Sequence, residues 1–262
     1  MTSVTLTSAS GAARPSIPAS RARLARYALW QLRDYFVDKA VPTATLILLT
    51  VYLTLVPAIA TYGGPGPRGT PRGFIEAFSL TVLIAIQQGA FLATTGIVAE
   101  DRKQGYFRFY FAKPVTVWRF YAMRFAAYLT GFLLVFAFLL AVHAAVVGPY
   151  FPPMMLPIAA AMFVAVGGIG FLASAVWRFD WVTLGAVVFL STIMWEVWEK
   201  ATGWRAVLVR LLPPMNRMGE VVGAASGRNA LDAASLCWLT GYGLVCFVLG
   251  LVVLSRRSLA KA

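Results

Sequence analysis

The sequence predicts an all-α, polytopic membrane protein with six transmembrane helices, preceded by an amphipathic helix at the bilayer interface. Three observations carry this. Hydrophobic residues make up 60% of the chain and charged residues only 13%, with a mean hydropathy of +0.74; a soluble domain carries roughly 25% charged residues. The charges are clustered, which leaves nearly uncharged windows of about 17–25 residues, the length that crosses ~30 Å of hydrocarbon. The apolar runs are continuous, whereas a transmembrane barrel would show short alternating segments. In lipid, such runs satisfy their backbone groups as helices.

Residues 1–20 are rich in Ser, Thr and Ala with no aromatic residue, and read as a disordered cytoplasmic tail. No apolar core precedes the first span, so the start is not a cleavable signal, although an Arg- and Ser-rich, acid-free start also mimics an organellar transit peptide. Residues 21–39 place Leu24, Tyr27 or Ala28, Trp30 or Gln31, and Phe36 or Val37 at helical spacing among Arg and Asp. This suits an interfacial helix, its aromatic face in the headgroups and its arginines near anionic lipid. The alternative is a cytosolic extension of the first span, interrupted at Pro42. A six-helix domain follows over 40–254, with spans at 40–60, 74–98, 120–147, 154–176, 181–198 and 232–254. Residues 99–119 form an inner loop, 199–231 an outer one, and 255–262 a second cytoplasmic tail.

Orientation follows from the basic residues. With six spans, both termini share a side with Arg14, Arg21, Arg23, Arg26, Arg33, Lys39, Arg102, Lys103, Arg108, Lys113, Arg119, Arg124, Arg178, Arg256, Arg257 and Lys261. These are 16 of the 23 Lys and Arg residues. The positive-inside rule therefore places both termini in the cytoplasm. The net charge of +13 is mostly this topological signal. Nucleic-acid binding would need a soluble basic surface that no segment is long enough to build.

Several chemistries are unsupported. There is no phosphate loop, HExxH, GxSxG or catalytic triad pattern. The glycines of residues 62–73 lack the lysine of a phosphate loop and read as an external turn. Cys237 and Cys246 lie nine residues apart in one span, about 13.5 Å along a helix and too far for a disulfide. His143 has no metal-ligand companion and reads as a packing or outer-interface residue. No enzyme activity, metal or cofactor is expected, and any ATP hydrolysis belongs to another polypeptide.

The informative stretch is residues 99–124, charged and aromatic between two apolar runs. Glu100 and Asp101 open a short predicted helix, Arg102 and Lys103 fill its body, and Gly105 stops it. Tyr106 to Phe111 are amphipathic, and Pro114 breaks the segment before the third span. Such a knob, held by two membrane helices, is a means of passing force from a soluble partner; an ordinary basic inner loop has the same outline. Elsewhere, Gln87 and Gln88 sit within the second span, where a polar side chain faces protein or a water-filled path. Gly167, Gly168 and Gly170 suit close helix packing.

The order of residues in the inner loop resembles that of ABC-2 type transporter permeases, the membrane subunits of ABC exporters. The positions that match are Glu100, Arg102, Lys103, Gly105, Pro114, Arg119 and Arg124. Tyr106 stands where the family often has Thr, and Phe107, Phe109 and Phe111 where it is often Leu-rich. Residues 211–227 are similar to the family's re-entrant outer segment. The resemblance implies a permease subunit of an ATP-driven exporter in the cell's inner (plasma) membrane. A second copy or a homologue would complete the path, lined by Gln87 and Gln88, and separate ATPase subunits would couple through Glu100, Asp101, Arg102, Lys103, Gly105 and Pro114. A non-transporting six-helix scaffold or assembly factor is the alternative, and a neighbouring ATPase gene would separate the two.

Overall fold

The computed structural model describes residues 19–62, 72–98, 101, 116–146, 154–177, 180–198, 202–214 and 232–256, together with Arg217, Glu220, Val221 and Ala224. Among these the protein is helical throughout, with no strand. The helices are α1 (Ala19–Tyr35), α2 (Val41–Tyr62), α3 (Arg72–Thr94), α4 (Val117–Val146), α5 (Met155–Val176), α6 (Asp180–Trp198), α7 (Trp204–Leu211) and α8 (Ala233–Arg256).

Among the described residues, four helical stretches are long and apolar enough to cross a membrane: Arg26–Tyr62, Val117–Ala145, Met155–Val176 and Ala233–Arg256. The other two expected spans coincide with α3 and α6, whose apolar cores are shorter, at Leu80–Thr94 and Gly185–Trp198.

The first helix runs on without a break. The chain stays helical from residue 19 to 62, passing from α1 to α2 through a π-helical turn, Phe36–Ala40. Pro42 has no N–H, and its ring crowds the carbonyl four residues back. The widened turn directly before it accommodates the misfit, so the helix is not interrupted there. Tyr27 packs on Phe120 and Tyr35 on Tyr128, with ring centroids 5.8 and 5.3 Å apart. Both contacts advance by eight residues, so α1 runs parallel to the first half of α4. α1 is thus continuous with the apolar stretch Arg26–Tyr62 and packs alongside α4. Leu29, Trp30 and Val37 still leave an apolar face open on its outer side.

The core centres on α5, buried along nearly its whole length, whereas α2 buries only Thr43, Ile47 and Ala58. Alanines and glycines on α5 allow its neighbours to approach closely. A Cβ at Gly168 would fall on the carbonyl of Gly243 in α8, and one at Gly243 on the backbone of Val164 and Ala165. Along α8, Ser235, Leu239, Gly243, Cys246, Phe247, Gly250 and Leu254 are buried at three- and four-residue spacing, the seam of a packed helix pair. An aromatic ladder ties α4 to both: Phe125 lies 4.5 Å from Phe247, which lies 4.7 Å from Phe171, which lies 5.6 Å from Tyr121.

Candidate functional site: a buried ion pair between the end of α3 and α4

The ladder ends at a buried polar cluster joining the end of α3 to the start of α4. α3 stops at Thr94, and Thr95 donates its N–H to the carbonyl of Phe91 at 3.0 Å. Gly96 follows with φ of 82°, a left-handed conformation at a helix C-terminus that favours glycine over residues with a side chain. This turn sends Ile97 and Val98 into the core and brings Asp101 against α4.

There Arg124 meets Asp101. Its Nη1 donates to Asp101 Oδ2 at 2.7 Å and to the carbonyl of Ile97 at 3.2 Å. Tyr121 donates its hydroxyl to the same Oδ2 at 3.1 Å. The Nε and Nη2 of Arg124 donate to the Tyr128 hydroxyl at 3.4 and 3.3 Å. Asp101 is 3% and Arg124 8% exposed. A charge at such depth is tolerable because it is paired and because most of its remaining donors find oxygens. Tyr121, Arg124 and Tyr128 share one face of α4 by their three- and four-residue spacing. Gln31 of α1, midway between Tyr27 and Tyr35, falls level with Arg124 in the parallel register and is also buried.

The expected coupling residues fare differently. Asp101 does not present its carboxylate outward to a soluble partner, because its counter-ion, Arg124, lies inside the same chain. Glu100, Arg102, Lys103, Gly105 and Pro114 lie outside the described residues. Arg119 is exposed, whereas Arg124 is buried within α4. Sequence reasoning missed the pairing and the roles of Tyr121 and Tyr128. The available signal was an arginine inside an apolar run, which by itself marks a site worth pursuing.

The two glutamines sit elsewhere. Gln88 is exposed on α3, and its Oε1 accepts from the Thr50 hydroxyl of α2 at 2.7 Å, an interhelical hydrogen bond. Gln87 is half-buried beside it. Among the described residues, no group of three or more His, Cys, Asp or Glu side chains is placed to hold a metal ion.

A second polar cluster lies at the start of α8. Asp232 caps α8, accepting from the N–H groups of Ala234 at 3.0 Å and Ser235 at 3.2 Å. Arg217 Nη1 donates to Glu220 Oε2 at 2.9 Å and to Ser235 Oγ at 3.1 Å. The Ser235 hydroxyl lies 2.5 Å from Glu220 Oε2 and 3.0 Å from Asp232 Oδ2, and its single hydrogen serves one of them at a time. The corner before this cluster is pinned by Trp195 Nε1, which donates to Pro213 O at 3.0 Å, and by Tyr242, whose hydroxyl donates to Leu211 O at 2.9 Å.

Comparison with models of protein families, with characterised proteins and with solved structures gives no match to this chain.

Proposed function

We propose that this chain is the permease subunit of an ABC-2 type exporter: six membrane spans, both termini in the cytoplasm of a cell's inner membrane, and ATP hydrolysis on a separate subunit. The observation that carries the reading is the buried Asp101–Arg124 pair. It joins the inner end of α3 to α4, at the two roots of the charged and aromatic loop between them. A loop rooted in this way transmits displacement to the spans instead of dissipating it.

In this reading Asp101 is a positioning residue that braces the loop, and Glu100, Arg102, Lys103, Gly105 and Pro114 supply the surface for the ATPase. Two copies, or one copy and a homologue, flank the path. The basic-residue asymmetry and the inner-loop resemblance support the same assignment.

Affinity purification of the tagged chain from its native membrane tests the reading. A co-purifying ATPase with a phosphate-binding loop is expected, and Glu100→Lys should release it while membrane insertion stays normal. A chain that purifies without any ATPase would favour the scaffold reading and sink the exporter.

A further inference from the structure

α7 lays an apolar stripe open beside an arginine held by two tryptophans. Trp204, Val207, Leu208 and Leu211 recur at the three-, four- and seven-residue spacing of one helix face, and all four are exposed. Arg205 stands on the flank of that stripe, about 100° around the helix from Trp204. Its guanidinium lies 5.9 Å from the Trp198 ring at the end of α6 and 5.6 Å from the Trp204 ring. The two rings are themselves 6.2 Å apart and edge-on. Among the described residues Arg205 has no carboxylate partner and no hydrogen bond. Its donors are therefore free, while two aromatic faces hold it in place. The level of α7 is fixed as well. Leu211, its last residue, accepts from the hydroxyl of Tyr242, which stands about 13.5 Å along α8 from Ala233. α8 is one of the stretches able to cross a membrane, so α7 ends beside the membrane-crossing length and not above it.

We propose that this corner binds an anionic phospholipid: the Arg205 guanidinium takes the phosphate oxygens of the headgroup, and the stripe of α7 lies among the acyl chains. A bilayer surface offers both halves of the match, hydrocarbon to the stripe and anionic oxygens to a guanidinium on its flank. Water would leave the stripe unburied, and free phosphate would do nothing for it. The two tryptophans suit the same level, since indole rings collect where hydrocarbon meets headgroups. Arginine fits a phosphate better than lysine does, because its planar fork presents parallel N–H donors and stacks on an aromatic face at the same time. The site requires only that α8 crosses a bilayer, whatever the chain transports or assembles.

Two measurements on the full chain test this. The first uses nanodiscs of phosphatidylcholine and phosphatidylglycerol, in a background of Cys237→Ser and Cys246→Ala. Spin labels at Val207→Cys and Leu211→Cys should relax with lipid-dissolved oxygen in preference to a water-soluble nickel chelate. Preference for the chelate at both positions would put the stripe in water, and protection from both reagents would put protein against it; either overturns the proposal. The second is native mass spectrometry of the detergent-solubilised chain, titrated with phosphatidylglycerol, which should show one lipid held more tightly than the rest. Arg205→Gln should weaken that binding by roughly fivefold, the scale for one arginine near an anionic surface, and Arg205→Lys by less. Trp204→Leu, which keeps the stripe and removes one ring, should cost part of the same affinity. Arg205 and Trp204 are both exposed, so these variants should fold. Phosphatidylcholine should bind more weakly, and excess inorganic phosphate should not displace the lipid. Displacement by phosphate alone would leave an anion site without a lipid, and equal binding by the parent and Arg205→Gln would take the arginine out of it. Either result sinks the lipid assignment.

Discussion

Arg124 and Asp101 are 23 residues apart and form a 2.7 Å ion pair that water barely reaches. Their contact depends on both helix ends at once: the left-handed turn at Gly96 aims Asp101, and the Tyr121–Arg124–Tyr128 face of α4 receives it. Removing one partner strands the other charge in the core. Asp101→Ala or Arg124→Met should each destabilise the protein by about 3–5 kcal/mol, while the double variant Asp101→Leu with Arg124→Met should recover much of that loss. Thermal unfolding in detergent reads both effects. Single variants as stable as the parent would show that the pair is solvated and braces nothing.

Gly168 and Gly243 bring the backbones of α5 and α8 into contact. Gly243→Ala would drive a methyl group into Val164 and Ala165, whose backbone atoms cannot rotate away, so the helices must separate. The expected cost is about 1–3 kcal/mol from overpacking. Gly241, two residues earlier on α8, has nothing near it, so Gly241→Ala should be neutral or stabilising by up to about 1 kcal/mol through helix propensity. Equal unfolding midpoints for the two alanine variants would refute the packing role of Gly243.

What the sequence reveals and what it hides divide along physical lines. The apolar runs are legible because composition alone decides whether a segment tolerates hydrocarbon, and each run contains a helix. The close packing of α5 is legible as well, since Gly167 and Gly168 leave no side chain to hold a neighbour off. The Asp101–Arg124 pair is not, because nothing local in either segment specifies a partner 23 residues away. Continuity through Pro42 is hidden for another reason. A proline inside a helix usually marks a break, and only the π-helical turn of Phe36–Ala40 spares this one. The expected site residues other than Asp101 and the two glutamines lie outside the described residues.

Gln31 offers a test of the α1–α4 contact. It is 2% exposed, and neither its Nε2 nor its Oε1 has a partner among the described residues. Burying an amide unpaired costs about 1–3 kcal/mol, and leucine fills a similar volume without polar atoms. Gln31→Leu should therefore raise the unfolding temperature. A clear drop would reveal that the amide is satisfied in the membrane-embedded protein, by water or by another chain.

The polar cluster at the start of α8 should respond to pH. The Ser235 hydroxyl, and after it Arg217, hold Glu220 below its ordinary 4.5, with desolvation opposing. The Ala234 N–H, and after it the Ser235 hydroxyl, hold Asp232 below its ordinary 3.8. Depressed carboxylates stabilise the folded state fully above their unfolded values, and that contribution is lost as pH falls through the folded ones. The start of α8 should therefore stay capped at pH 6 and fray below about pH 4. Both carboxylates are largely open to solvent, so the effect is local and should shrink in high salt. Hydrogen exchange of a peptide covering residues 232–240, corrected for the intrinsic rate, should show protection lost between pH 6 and pH 3. Asp232→Ala should show the unprotected rate throughout. If parent and variant exchange alike at pH 6, Asp232 does not cap the helix and the cluster has no hold on α8.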